Sequence, residues 1–382
     1  MEGETMVQGN NRQLFLKIKD ILHCLYEEPE NHLVVTLALM VTGLFLGRHV
    51  QLWQIALWVP LPSQLTSVVR RFERFVADPR VDVGRYFEPF VIAMRSCLGS
   101  ETAYLILDCT QAGKKCRVLF IGLAYHGTVL PLVWQTIKGK KGHVKGVLQR
   151  DLLRQVYPSF KDHQQVIVLG DAEFSNEPVI RWLLKAQWRF VFRFQTSYQI
   201  QTSQTVSWRS AKVVYEAQNI GAGQTYHWEK VAYTEQHQIP DLTVTVHWEA
   251  AFDEPLCLVS NLAAADDPHV IYDTRFWVET LFGNYKSRGF QLARTHMTNP
   301  DHIDRLVLAL AIATAIVLGL GTHLIVSNRT HLVDRSDRRD LSLFQLGWRW
   351  LYRILALERL HELKIVFRWD FELPPPGFQP AT

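Results

Sequence analysis

The chain has 382 residues, 48 % of them hydrophobic, which is enough for sizeable cores in two or three domains. A formal net charge of +4 excludes a strongly basic coat for polyanions, so any such contact must come from local clusters. Five cysteines, Cys24, Cys97, Cys109, Cys116 and Cys257, form no C-x-x-C pair and argue for reduced thiols rather than a disulfide or zinc framework.

The first hundred residues read as helical, over Arg12–Leu25, Leu33–Leu46 and Gln51–Trp58, with a break at Pro60 and Pro62. Ser63 is the expected N-cap of a helix running to about Val76, which brings Arg70, Arg71 and Arg74 together. The apolar runs Leu33–Leu46 and Leu306–Leu320 fall short of the ~20 residues a membrane span needs and are expected as buried core helices. Glu2 and Glu4 ahead of polar residues do not fit a secretory leader, so a cytoplasmic protein with no membrane partner is expected.

From residue 100 the pattern changes to strands. Ala103–Leu107 is a short apolar run ending in Asp108, and Gln165–Gly170 is another ending in Asp171. Such runs suit central strands covered on both faces, which puts a carboxylate at each strand end on the sheet's rim. Between them lie strands at Cys116–Tyr125 and Val129–Ile137, turned at His126-Gly127, and a helix at Val144–Val156; a helix at Glu177–Ala186 and a strand at Trp188–Phe194 follow Asp171. The linker holding Lys138, Lys140, Lys141 and Lys145 with two glycines is either a plain charged loop or one shaped for phosphate contact.

Residues 196–265 alternate in segments at Thr205–Trp208, Lys212–Tyr215, Gln224–Tyr233, Leu242–Ala250 and Leu256–Ser260, a β-rich insertion. Its tryptophans include Trp208, Trp228 and Trp248; Trp248 is placed either in the sheet's core or at a strand end, where its ring could stack on an unpaired base. Beyond it, Tyr272, Arg275, Glu279 and Lys286 carry the spacing Y-(2)-R-(3)-E-(6)-K. On a regular helix the four share an arc of about 60°. The bland reading is a solvated face with an i,i+4 Arg275/Glu279 pair. The chemical one is a phosphate held by Arg275, Lys286 and Tyr272 beside a metal held by Glu279. Ile303–Leu320 and Leu341–Leu360 complete the chain as helices, the second packing on the core or on another subunit, before an extended tail at Pro374–Pro376.

Two strand-end aspartates and one helical glutamate make a hard-oxygen set suited to two Mg²⁺ ions, with Mn²⁺ as a substitute. Asp108, Asp171 and Glu279 with the full Y-(2)-R-(3)-E-(6)-K spacing resemble the DDE transposases of bacterial insertion sequences, in the branch named for that signature, over roughly residues 100–320. The resemblance implies an α/β fold with an RNase H-like catalytic core (99–195 and 266–325), a helical N-terminal domain (1–98) that binds DNA through the Arg70 helix, a β-rich insertion domain (196–265) between the second Asp and the Glu, and a C-terminal helical region with a disordered tail (326–382). It implies two-metal cleavage of the element's ends, joining to target DNA, double-stranded DNA as partner and a homodimer on it. Two alternatives remain open at this level: an RNase H-like nuclease without strand transfer, and an inactive DNA-binding descendant.

Overall fold

A computed structural model describes residues 2–26, 31–139, 143–205, 207–335, 338–371 and 373, with only the backbone described for residues 2–8. Lys140, Lys141 and the Pro374–Pro376 tail lie outside the described residues. The N-terminal part is helical: α1 (Glu2–Tyr26), α2 (His32–Gly47), α3 (Leu52–Ala56), α4 (Leu65–Ala77) and α5 (Val83–Leu98). Apolar nearly all round, α2 is buried along its length, and Asn31 caps it by accepting from the Leu33 N–H at 2.8 Å. The N-cap of α4 is Gln64, without a side-chain bond, rather than the expected Ser63. α5 escapes the sequence reading because Pro89 inside it looks like a breaker; its start is fixed by Asp82, which accepts from the Arg85 N–H at 3.0 Å.

The strands are β1 (Ala103–Ala112), β2 (Cys116–Tyr125), β3 (Thr128–Lys138), β4 (Val166–Gly170), β5 (Arg189–Arg193), β6 (Gln199–Gln201), β7 (Arg209–Ser210), β8 (Thr225–Tyr233), β9 (Ile239–His247) and β10 (Leu256–Ser260). They form one mixed sheet in the order β3-β2-β1-β4-β5-β10-β9-β8-β6-β7. β1, β2 and β3 make an antiparallel meander, while β4 and β5 run parallel to β1 through crossovers containing α6 (Gly146–Phe160) and α7 (Glu177–Lys185). Every residue of β4 is buried, as expected of a strand covered on both faces.

The inserted strands β8, β9 and β10 continue this sheet, because β10 pairs antiparallel with β5. Lys212–Tyr215, read as a strand, lies instead in the helix α8 (Ala211–Ala217), nucleated by Ser210 accepting from the Val213 N–H at 3.4 Å. The described residues of Thr205–Trp208 form no strand, and only Arg209–Ser210 pairs there.

The chain then enters α9 (Pro268–Asp273), a 3-10 turn (Thr274–Phe276), α10 (Trp277–Gly283) and a π-helical turn (Asn284–Arg288), before α11 (Pro300–Val326) and α12 (Leu343–Ala356). α11 is longer than its apolar run suggests, because Asn299 caps it by accepting from the Asp301 N–H at 3.0 Å and polar residues extend both ends. By length and composition it would cross a membrane, yet 89 % of its apolar window is buried in the fold. It packs on β3, α2, α4, α5 and α12. Each Leu, Ile or Val it buries contributes about 1.5–3 kcal/mol, which makes it the main hydrophobic spine of the molecule. Where α12 crosses it, a Cβ on Gly347 would stand 1.8 Å from the Val317 carbonyl oxygen, so only glycine permits that approach.

Asp304 ties α11 to the sheet, accepting from the backbone N–H and the hydroxyl of Thr136 at 2.8 and 2.6 Å. Burial raises its carboxyl from an ordinary 3.8 to about 6, against the lowering effect of those bonds. A raised carboxyl holds its proton longer in the folded state, so stability falls as pH rises from about 4 through about 6, by roughly 3 kcal/mol in all. Asp304→Asn keeps an acceptor for both bonds and should flatten that pH dependence in urea titrations; an unchanged slope would assign it to another group.

Candidate active site

The parallel register of β1 and β4 ends at the pair Leu107–Gly170, and Asp108 and Asp171 are the next residue on each strand. Asp108 is not a strand end, since β1 continues to Ala112 against β2 alone. The aspartates are neighbours because the parallel pairing stops beneath them. Asp171 caps the short 3-10 turn Ala172–Phe174, accepting from the Ala172 N–H at 2.8 Å. The Cys109 N–H donates to Asp108 Oδ1 at 2.6 Å.

Arg275 organises the cluster. Its Nη2 donates to Asp108 Oδ2 at 2.8 Å and lies 3.9 Å from Asp171 Oδ2, and its Nη1 lies 3.6 Å from Glu279 Oε1. These contacts are unequal. The side chains of Arg275 and Asp108 are 12 % and 14 % exposed, so their pair is shielded from solvent, whereas Glu279 is 66 % exposed and its i,i+4 contact contributes only a few tenths of a kcal/mol. Burial pushes the Asp108 carboxyl up; Arg275 pulls it down, and Asp171 and Glu279 push it up further. The site therefore carries more negative charge than one guanidinium neutralises.

Beside the aspartates opens a cleft of about 350 Å³, lined among others by Arg117, His143, Glu173 and Gln195. Glu173 Oε1 is buried with no hydrogen-bond partner, while Oε2 sits 3.7 Å from His143 Nδ1, and burial raises this carboxyl too. Glu173 follows Asp171 by only two residues, within reach of the same cleft. Arg193, 3.9 Å from Asp171 Oδ1, and the cleft-lining Arg117 are not evident from the sequence; an arginine at the end of a strand carries no distinguishing local pattern. The donor set is one of hard carboxylate oxygens, with the orphaned Glu173 atom in the same cleft and an Arg275 guanidinium standing among the three acids where a cation would be neutralising. These residues fit a divalent ion of the magnesium class.

Other expected contacts fall differently. Residues 272–286 are not one regular helix but an α, 3-10, α and π succession, so the single stripe does not hold. Tyr272 is 1 % exposed, with its ring edge-on to Phe276 at 5.9 Å, and is not presented to a phosphate. Lys286 is exposed on the π turn, its Nζ 5.7 Å above the Phe282 ring. Lys138 and Lys145 are exposed at the two ends of their loop. On α4, Arg70 and Arg74 face outward, but Arg71 turns in and donates from Nε to Thr36 Oγ1 at 2.9 Å.

Trp248 follows the end of β9 but does not stand free at a rim. Its indole N–H donates to the Phe252 carbonyl at 2.9 Å and its ring packs edge-on to Tyr215 at 6.3 Å. Alternation misleads here because β9 is buried on both faces from Leu242 to Val246. Trp228, on β8 of the same insertion, is 5 % exposed.

A family model described as the transposase DDE domain matches residues 100–316, which include all three carboxylates and Arg275. The chain belongs to that transposase family. Among solved structures, this transposase-family chain is similar to the piggyBac transposase in a synaptic complex with hairpin DNA, at 12 % identity and a TM-score of 0.44, over 86 % of this chain and 71 % of that one. No curated protein matches it. Within the family's domain, the inserted strands and the Asp–Asp–Arg–Glu cluster occupy one continuous sheet and its rim.

Proposed function

We propose that this protein is the DNA transposase of a bacterial insertion sequence, of the Y-(2)-R-(3)-E-(6)-K branch, with an RNase H-like core that cuts the ends of its own element and joins them to target DNA. One observation carries the reading: a single guanidinium, on Arg275, reaches Asp108, Asp171 and Glu279 at 2.8, 3.9 and 3.6 Å. Asp108 and Arg275 are buried together, and Asp171 and Glu279 stand beside them, so the cluster holds more carboxylate than its one cation neutralises.

Asp108, Asp171 and Glu279 would hold two Mg²⁺ ions, with Mn²⁺ as a substitute and Glu173 in reach of the same cleft. When bound, the ions supply charge neutralisation at the attacking and leaving oxygens of a phosphodiester. The chain's own work is positioning. Asp108 is fixed by the Cys109 N–H and Asp171 by the Ala172 N–H, so both present their second oxygens toward Arg275 and the cleft. Arg275 has a buried Nε–H with no partner, which leaves a donor for a phosphate oxygen once its carboxylates are otherwise neutralised. Lys286, Lys138 and Lys145 supply exposed positive charge along the DNA, and outward Arg70 and Arg74 do so on the N-terminal helices. The protein acts as a homodimer on double-stranded DNA, one subunit for each end.

Lys286→Ala should leave the fold intact and lower the salt slope of binding to end DNA by about one counterion. An unchanged slope would make Lys286 a mere cover for Phe282. The deciding experiment for function incubates the full chain with Mg²⁺, element-end DNA and a target plasmid. Joined products support the transposase; cut ends that never join would establish a nuclease. Terminal inverted repeats bounded by short direct repeats around the gene are expected independently.

A further inference from the structure

We propose that His227, Asp267 and His269 form a second metal site, for an ion of the zinc class, that ties the inserted strands to the start of the segment bearing Arg275 and Glu279. The three side chains come from β8 and from the first residues of α9, and each offers one donor atom within 4.8 Å of the others. Donors around a tetrahedral zinc ion sit about 3.4 Å apart. Asp267 is exposed, so its carboxylate is free to rotate toward the two imidazoles.

Three observations show that these donors are uncommitted. His227 engages Thr245 Oγ1 through Nδ1 at 2.9 Å, which leaves Nε2 free and sets the ring's orientation as an outer hydrogen bond does for a ligating imidazole. His269 Nδ1 is buried with no hydrogen-bond partner. Asp267 is the N-cap of α9 yet makes no side-chain cap bond, its left-handed backbone at φ 48° being that of the C-cap closing the preceding 3-10 turn Ala264–Asp266. A carboxylate withheld from the cap is available to an ion.

The surroundings suit that ion. His247 stacks on His269 at 4.5 Å, its Nδ1 taken by Thr225 Oγ1 at 2.6 Å, so it packs against the site as a wall. Two imidazoles and one carboxylate favour zinc, nickel or copper, whereas the all-oxygen set at Asp108, Asp171 and Glu279 favours magnesium. Zinc is the redox-silent choice among the first group. The two sites would thus differ in the ion each prefers. Because α9 runs straight into the 3-10 turn of Arg275, an ion clamping α9 to β8 restrains the base of the catalytic helix.

The test uses the full chain carrying Asp108→Asn, Asp171→Asn and Glu279→Gln, so that the catalytic carboxylates no longer compete. Titration with Co²⁺ in the presence of excess Mg²⁺, followed by visible absorption and by Zn²⁺ competition, should show one equivalent bound. His227→Ala or His269→Ala should weaken binding by at least about 100-fold, since loss of an outer partner alone costs 10–100-fold. Zn²⁺ should also raise the thermal midpoint of the parent and not of these variants. If His269→Ala fails to fold, Asp267→Asn at the exposed position gives the same decision. No stoichiometric binding in the parent, or binding unchanged in the His227 and Asp267 variants, overturns the proposal.

Discussion

Alanine at Asp108, Asp171 or Glu279 should lower Mg²⁺-dependent cleavage of end DNA by more than about 100-fold, since disturbing even an outer partner of a metal ligand costs about 10–100-fold. Affinity for that DNA should stay nearly unchanged, because exposed cations elsewhere supply it. The three variants should differ in stability. Glu279 is 66 % exposed and its removal should leave the unfolding midpoint in place. Removing Asp108 strands the Arg275 guanidinium, 12 % exposed, among fewer partners and should lower the midpoint. Gel-resolved cleavage and urea titration of the same preparations separate these effects. An Asp171→Ala protein cutting at the wild-type rate would remove the metal assignment and transfer the role to Glu173, whose Oε1 already lies buried and unpartnered in the cleft.

Arg275→Ala should cost about 3 kcal/mol when divalent ions are chelated, the penalty for leaving a buried partner charge uncompensated. The carboxylate it abandons, Asp108, is 14 % exposed and already pushed upward by burial. Millimolar Mg²⁺ should return most of that stability, because an ion and the guanidinium answer the same negative charge. Wild type should gain much less from Mg²⁺, since the ion must there compete with Arg275. Equal stabilisation of the two proteins by Mg²⁺ would show that arginine and ion do not share a site, and that Arg275 is only a brace between β1 and the 3-10 turn.

The β2 and β10 boundaries were legible because each is a continuous apolar, β-branched run closed by turn residues. The aspartates were legible for a reason that proved half right. Asp171 does follow its strand, but Asp108 lies inside β1, and the two meet because parallel pairing with β4 stops at Gly170. Such a stop is a property of two strands and leaves no mark on either alone. The role of Arg275 was hidden in the same way, since facing a phosphate and facing three acids look identical in spacing. Tyr272 misled because one helical period was applied across a 3-10 turn that rotates it into the core. Residues 211–217 misled because a short apolar–polar alternation does not reveal the Ser210 cap that makes them helical.

In the proposed mechanism Arg275 stands where a pair of metal ions would neutralise Asp108, Asp171 and Glu279. Crystals of the full chain with element-end DNA and Mn²⁺, measured at the manganese edge, test this most directly. The expected map shows anomalous peaks among those three carboxylates, with the Arg275 guanidinium withdrawn from Asp108 and turned to the DNA phosphate. Manganese bound elsewhere, with Arg275 still hydrogen-bonded to Asp108 beside the DNA, would contradict it.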